Sequence, residues 1–194
     1  MADETSYGWA GKILRVNLST GSITTQPTDP YKEYIGGMGL ANKIMYDEVP
    51  AGTDPFSPEN KLIFAVGPLT ASGVPLAGRT TICSLSTFTK DHLVVDAHCG
   101  GMIGAKIKLA GWDAVVLEGA SDHPVYLNIV DDKVEIKDAG FVWGMGPVRP
   151  PRCCAARKAS RRAWPPSAPP ARTCFRTRAS STRATTPPAP ARAR

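Results

Sequence analysis

The chain has 194 residues, and its hydrophobic content of 42% is sufficient for one domain with its own core. Residues 1–146 hold 17 acidic and 11 basic side chains, a net charge of −6, whereas residues 147–194 hold 12 basic side chains and no acidic one. No apolar run approaches the roughly 18 residues that a membrane-spanning helix needs. The five cysteines include no CxxC pair and the acidic N terminus has no secretory signal, so we expect a cytoplasmic protein without a zinc site or a disulfide framework.

Short apolar runs separated by turn residues occupy most of residues 1–146, a pattern typical of strands joined by tight turns. The predicted strands cover residues 12–18, 23–25, 61–66, 80–86, 92–97, 114–117, 125–130 and 134–136. The first two strands are expected to form a hairpin through the turn at residues 19–22. The acidic pair Asp131-Asp132 predicts a second hairpin.

Two helices are predicted between these strands. The first begins at Asp29-Pro30, is bent or broken at Gly36-Gly37, and resumes over residues 40–46. The second covers residues 102–110 and ends at Gly111, a suitable C-cap. The predicted fold class is therefore α+β, with a β-rich domain over residues 1–146.

Residues 147–194 differ in composition from the rest of the chain. They consist mostly of Arg, Pro, Ala, Ser and Thr and lack the apolar periodicity that a packed core requires, so we predict a disordered tail. Acid-free Arg/Pro/Ala sequence is also what out-of-frame translation of a GC-rich gene produces, and we hypothesise a frameshift near Gly146, which sequencing of the gene would test. The alternative is a genuine basic arm that binds the phosphates of nucleic acids.

Six short strings in residues 11–114 occur in the order found in the aldehyde ferredoxin oxidoreductase family. They are Gly11-Lys-Ile-Leu-Arg-Val-Asn-Leu-Ser-Thr-Gly21, Ser57-Pro-Glu-Asn-Lys-Leu62, Gly67-Pro-Leu-Thr70, Gly78-Arg79, Ala97-His-Cys-Gly-Gly101 and Ala110-Gly-Trp-Asp-Ala114. No single string is specific, but six in register are hard to obtain by chance. Residues 7–144 thus resemble the N-terminal, cofactor-cradling domain of that family.

The resemblance implies a tungsten enzyme that oxidises an aldehyde to a carboxylic acid. In that family a β-rich base supports a tungsten bis-pyranopterin, and electrons leave through a [4Fe-4S] cluster to ferredoxin or an electron-transfer subunit. The dithiolene sulfurs of the two pterins hold the metal, so the protein need not supply ligands to it. Two alternatives remain open: the tungsten subunit of a benzoyl-CoA reductase, and a non-catalytic β-rich binding module with a basic nucleic-acid-binding arm.

Arg79 is the first candidate for cofactor binding. In the family, an arginine after the glycine of this loop contacts the pterin and lies between it and the iron–sulfur cluster. The planar guanidinium has several donors in a fixed fork, which suits such a bridging position. Arg79 is also the only arginine between Arg15 and Arg149. The alternative is an ordinary surface salt bridge at the entrance to a strand.

His98, Gly100 and Gly101 form the second candidate group. The family carries Asn at the position of His98, and the backbone carbonyl of that Asn helps to bind a magnesium ion joining the two pterin phosphates. A backbone ligand tolerates a different side chain, although His98 could equally be a partly buried structural histidine. Gly100 and Gly101 precede a helix whose free first amides would suit a phosphate, or they form a plain turn.

Several other residues are interpreted as structural. Gly36-Gly37-Met38-Gly39 lacks the spacing of a nucleotide-binding loop and is expected to be a packing turn. Cys83 and Cys99 are expected to be thiols without redox work, and Asp113 and Glu118 to be turn or edge carboxylates. No catalytic residue is nominated. The cluster-binding cysteines, the later pterin-binding segments and the substrate-pocket residues of the family have no counterpart in this sequence, so we expect the chain by itself to be inactive and to bind the cofactor poorly.

Overall fold

The computed structural model describes residues 7–143 and 172–176. The strands are β1 Lys12–Asn17, β2 Ile23–Pro27, β3 Lys61–Val66, β4 Thr80–Leu85, β5 Val94–Cys99, β6 Ala114–Glu118, β7 Val125–Val130, β8 Lys133–Asp138 and β9 Arg172–Arg176. The helices are α1 Gly37–Glu48 and α2 Ile103–Leu109, and two 3-10 helices cover Asp29–Tyr34 and Gly140–Val142. The β-rich α+β fold class is confirmed. No helix in these residues is long and apolar enough to cross a membrane.

A six-stranded sheet in the order β2-β1-β6-β3-β4-β5 forms the centre of the fold. The β1–β6 pair is parallel, and every other neighbouring pair is antiparallel. The predicted hairpins are present as β1–β2 and β7–β8. The first strand, β1, lies in the interior of the sheet. Its parallel neighbour β6 is about a hundred residues away in sequence.

The inner strands of the central sheet are largely buried on both faces, and neighbouring residues along them point to opposite sides. On one face, Ile63 and Val116 pack with Leu40 and Ile44 of α1. On the other face, the apolar side chains pack with α2 and the β7–β8 hairpin: Leu14, Val16, Phe64, Val66, Ile107, Trp112, Val115, Leu117, Leu127 and Ile129. The sheet is therefore the middle layer of a three-layer domain.

The first helical segment differs in detail from the prediction. Residues Asp29–Tyr34 form a 3-10 helix with Pro30 in its first turn, and α1 begins at Gly37 rather than at Leu40. The glycines here are packing positions, as expected. A Cβ on Gly39 would lie 2.2 Å from the carbonyl oxygen of Tyr34, and one on Gly36 would lie 3.0 Å from that of Val66. The chain can therefore turn tightly between the two helical segments.

A second sheet has the order β8-β7-β9. The strand β9, Arg172–Arg176, lies within the predicted tail. A free strand edge offers backbone donors and acceptors, and these pair with an extended segment regardless of its composition. The rest of the predicted tail lies outside the described residues. The frameshift and the basic arm therefore stay hypotheses.

The Asp113 side chain is fully buried and is satisfied by donors from three other parts of the chain. It accepts hydrogen bonds from the amides of Ala10 at 3.0 Å and Gly11 at 2.8 Å, and from the Thr28 hydroxyl at 2.8 Å. Lys108 of α2 supplies an ion pair to the same carboxylate. Asp113 thus has a structural role, as the sequence indicated, and its carboxylate links three separate parts of the domain.

A second polar network crosses the sheet from β1 to α1. Arg15 forms ion pairs with Glu48 and, at 2.6 Å, with Glu118, and Lys61 lies 3.0 Å from both carboxylates. The Arg15 Nε also donates to Gln26 at 2.6 Å. Two cations thus face two anions, so the partly buried cluster carries no net charge.

Replacement of Asp113 by Asn should lower the free energy of unfolding by about 3–5 kcal/mol, because Lys108 would lose its buried partner. The Asn side chain also has one acceptor oxygen instead of two, so it cannot accept all of the hydrogen bonds that the carboxylate accepts. Urea unfolding, followed by the fluorescence of the buried Trp112, measures the loss. Asp132→Asn is the matched control, since that carboxylate forms an exposed pair with Lys12. Equal unfolding midpoints for the two variants would contradict the assignment.

Glu48 should contribute to acid sensitivity. Burial alone would raise its pKa, but hydrogen bonds from Arg15 and Lys61 outweigh burial and lower the pKa from its ordinary value of 4.5. The stabilisation by these hydrogen bonds is therefore fully present above pH 4.5. It is lost as the pH falls through the lowered pKa of folded Glu48.

Unfolding curves of the parent and Glu48→Gln across the acid range test this expectation. The difference in unfolding free energy should be largest near neutral pH, and it should shrink as the pH falls from 4.5 through the lowered pKa of folded Glu48. Glu59→Gln, in an exposed turn, is the control. A difference that stayed constant with pH would argue against the linkage.

Candidate cofactor-binding site

The candidate site lies where β4 begins and β5 ends. The register pairs Thr80 with Cys99, so the residues just outside this pair, Arg79 and Gly100, lie across from each other. The backbones are close at this point, because a Cβ built on Gly78 would lie 3.5 Å from the carbonyl oxygen of Gly101. The structure thus brings together Arg79, Gly100 and Gly101, which the sequence analysis had nominated separately.

The Arg79 side chain is exposed at this end of the sheet. Among residues 7–143 and 172–176 it has neither a carboxylate partner nor a hydrogen bond. The surface salt bridge considered above is therefore not formed within the described part of the chain. A guanidinium whose donors are free at a strand entrance is available for an anionic ligand.

The two glycines leave open space beside Arg79. No atom lies within 4 Å of the position that a Cβ would take on Gly100 or Gly101. Gly101 has a φ of 92°, which side chains rarely tolerate. The helix α2 follows at Ile103, one residue later than predicted and with only seven residues. A ligand or a second polypeptide can therefore approach the backbone closely here.

His98 lies inside β5 rather than after it. The prediction of a strand over residues 92–97 was wrong in its bounds, because the turn after β4 extends further than the apolar pattern indicated. His92 has a φ of 49° and its amide bonds to the Thr89 carbonyl, so pairing with β4 starts only at Val94. The imidazole accordingly stands on the sheet surface.

Two neighbours hold the His98 ring in place. Its Nδ1 lies 3.2 Å from the Thr81 hydroxyl on β4, and its Nε2 lies 2.9 Å from the Asp96 carboxylate two residues earlier. The sequence analysis missed Thr81 and Asp96. Asp96 could have been found from the i, i+2 spacing that places two side chains on one face of a strand, whereas Thr81 depends on a cross-strand register that the sequence does not reveal.

The main-chain groups of His98 point away from β4. The bond from the Ser86 amide to the Leu93 carbonyl, at 2.8 Å, identifies a hydrogen-bonded pair of the β4–β5 ladder. Such pairs alternate along antiparallel strands, so Val95, Ala97 and Cys99 also face β4. His98 therefore directs its own N–H and C=O away from β4, toward the side where the described part of the sheet ends, and its carbonyl is available to a cation there.

A strained loop precedes Arg79. The segment from Leu69 to Gly78 contains two residues other than glycine in the left-handed region, Ala71 with a φ of 66° and Leu76 with a φ of 64°. The Leu76 side chain is fully exposed. The Thr70 hydroxyl closes the loop by donating to the Ala77 carbonyl at 3.0 Å. Strain of this kind concentrates at functional sites and persists only where the surroundings enforce it.

The described residues supply polar contacts but no metal-binding cluster. Nowhere in this part of the chain are three or more His, Cys, Asp or Glu side chains placed to hold a metal ion. An open groove of about 420 Å³ lies elsewhere, between the β1–β2 turn and the start of β7, and includes none of the nominated residues. The exposed Arg79 guanidinium suits a ligand with negative charge.

Comparison with known proteins assigns the family. The model of the aldehyde ferredoxin oxidoreductase N-terminal domain matches residues 13–156. The chain belongs to this family. Tungsten-containing aldehyde ferredoxin oxidoreductases from Pyrococcus abyssi and Pyrococcus furiosus are 46% and 44% identical to it over 140 residues, which are 71% of this chain and 23% of each relative. The chain thus spans about a quarter of the length of these relatives.

Two further relatives act on other substrates. The WOR-like subunit of an aliphatic sulfonate oxidoreductase from Pyrococcus furiosus is 35% identical over 145 residues, 72% of this chain and 23% of that protein. A solved active-site complex, BamBC of benzoyl coenzyme A reductase with 1,5-dienoyl-CoA, matches with a TM-score of 0.67 and 40% identity. That match covers 70% of this chain and 21% of the other. Proteins similar to this chain are therefore named for different substrates.

The two thiols near the site should differ in reactivity. Cys83 is buried, its Sγ lies 3.2 Å from the Asn42 side-chain oxygen, and burial, with a smaller effect of Asp96, raises its pKa to about 11. Cys99 is partly exposed beside Gly100. Since the thiolate is the reactive form, iodoacetamide at about pH 8 should label Cys99 and spare Cys83.

Peptide mass spectrometry of the alkylated chain distinguishes the two sites. Urea provides the control, because unfolding should make Cys83 as reactive as Cys99. Equal labelling of both thiols in the folded chain would show that the Cys83 thiol is not buried.

Proposed function

We propose that this chain is the cofactor-cradling part of a tungsten-pterin oxidoreductase that oxidises aldehydes to carboxylic acids. The family membership and the names of the relatives support a tungsten enzyme. The observation that carries the assignment of the site is the juxtaposition of Arg79, which has no partner among the described residues, with the open backbone of Gly100 and Gly101. A polyanionic ligand fits this combination.

The individual residues would have distinct tasks. The Arg79 guanidinium would bind the pterin and orient it over the entrance to β4. The backbone of Gly100 and Gly101 would permit the close approach of a phosphate, and the outward His98 carbonyl would serve a magnesium ion beside the phosphates. Thr81 and Asp96 would position the His98 segment. When bound, the tungsten pterin would supply the redox chemistry, and the described residues would bind and orient it.

The remaining parts of the proposal extend beyond the matched quarter of the relatives. We propose that electrons pass through a [4Fe-4S] cluster to ferredoxin or an electron-transfer subunit. The cluster ligands have no counterpart in this sequence, so this chain would not complete the reaction by itself. We also propose a cytoplasmic site of action.

A benzoyl-CoA reductase subunit is the second candidate. Its support is the structural match to BamBC, which has an identity of 40%, close to the 44–46% of the aldehyde enzymes. The residues at Arg79, Gly100 and Gly101 would cradle the cofactor in either case. The substrate is therefore a property of segments other than this one.

Inorganic pyrophosphate tests the anion site directly. Titration of the full chain should shift the backbone NMR signals of Gly100 and Gly101, and Arg79→Ala should weaken this binding about tenfold, as expected for the loss of a charge-assisted hydrogen bond. Because the signals are read residue by residue, binding to the basic residues after position 146 does not interfere.

Lys90→Ala is the matched control, since Lys90 is an exposed cation in the loop between β4 and β5 and belongs to none of the nominated groups. The control should titrate like the parent. Signals at Gly100 and Gly101 that respond equally in the parent and in Arg79→Ala would remove Arg79 from the site.

A further inference from the structure

The glycine at position 104 is unusual because it lies inside a helix. Gly104 is the second residue of α2 and is buried. It is not among the glycines with a positive φ, so the backbone conformation does not require a glycine here. Alanine forms helices more readily than glycine does. The reason for a glycine at this position is therefore the space around it.

The surroundings of Gly104 leave no room for a side chain. A Cβ at this position would lie 2.6 Å from the Thr80 Oγ1, well below the 3.4 Å of ordinary contact, and 3.4 Å from both the Gly78 carbonyl oxygen and the Thr70 Cγ2. The Thr80 side chain cannot easily turn aside, because it is β-branched and fully buried. Its backbone is fixed as well, since it pairs with β3 on one side and with β5 on the other. A side chain at position 104 would therefore displace α2 rather than β4.

The three groups that contact Gly104 belong to the segment that carries Arg79. Gly78 and Thr80 are the neighbours of Arg79 in sequence. Thr70 closes the loop before Arg79 through its hydrogen bond to the Ala77 carbonyl. The bare backbone of α2 thus packs directly against the chain that presents the guanidinium.

The other end of α2 is held in place. Lys108 forms an ion pair with the buried Asp113. A displacement at Gly104 would therefore tilt the N-terminal end of the helix, which a single residue separates from Gly101. The backbones of Gly101 and of the segment before Arg79 are close together, and this tilt would move them apart.

We propose that Gly104 is a positioning residue of the cofactor site. Its missing side chain lets α2 pack against the start of β4, and this contact sets the distance between the Arg79 guanidinium and the backbone of Gly100 and Gly101. The inference rests on the proposed function, since it concerns how the same anion site is held. Gly104 is buried and acts through its neighbours rather than through contact with the ligand.

Pyrophosphate titration of Gly104→Ala in the full chain, read from the backbone NMR signals of Gly100 and Gly101, tests the positioning. The added methyl group should weaken binding about fivefold or more, because hydrogen bonds to the ligand lengthen when the two sides of the site move apart. Ala105→Ser adds one atom at the next, partly exposed position of α2. It is the matched control and should bind like the parent. Circular dichroism shows whether each variant is folded.

Changes at Thr80 separate positioning from a general loss of stability. Combined with Gly104→Ala, Thr80→Ala removes the atom that the new methyl group meets, so this double variant should regain the parent's affinity. Thr80→Val keeps the volume of the side chain and removes only the hydroxyl, so its combination with Gly104→Ala should stay weak. Thr80→Ala alone should bind like the parent, because the hydroxyl that it removes has no hydrogen-bond partner among the described residues.

The outcomes distinguish this inference from the proposed function. A parent chain whose Gly100 and Gly101 signals do not respond to pyrophosphate would overturn the proposed anion site, and the inference with it. A parent that responds while Gly104→Ala binds equally well would overturn only the inference. A loss of affinity that Thr80→Ala does not restore would also overturn it, since the methyl group would then act through another contact.

Discussion

The buried carboxylate of Asp113 is the constraint on which most of the domain depends. It stands at the entrance to β6, and its donors come from the segment before β1, from Thr28 after β2 and from Lys108 on α2. Its backbone bonds to Lys12 and Val66 on either side. A buried carboxylate that lost these donors would be strongly unfavourable, so the hairpin, the central strands and α2 must assemble together.

The candidate site follows from that assembly rather than from any single motif. Arg79 lies just before the first residue of β4, and Gly100 lies just after the last residue of β5. They are close together because β4 and β5 pair in an antiparallel register, with a long turn between them. The site is chemically simple. It offers an exposed cation, an open backbone at Gly100 and Gly101 and an outward carbonyl, and the proposed ligand of such a site is a polyanion. This simplicity agrees with the occurrence of the same fold in relatives named for aldehydes, sulfonates and benzoyl-CoA.

The sequence alone determined the fold class and most of the strands, because alternating apolar residues and turn residues act locally. The six strings in family order separately indicated the family. It also identified Arg79, Gly100 and Gly101 as candidates, and the packing role of Gly36 and Gly39. Only the tertiary structure decided the bounds of β5, the contacts of His98 with Thr81 and Asp96, the burial of Asp113 and the pairing of β9 with β7. Each of these depends on which strands become neighbours, and that choice is made by the collective burial of both sheet faces, which no local pattern encodes.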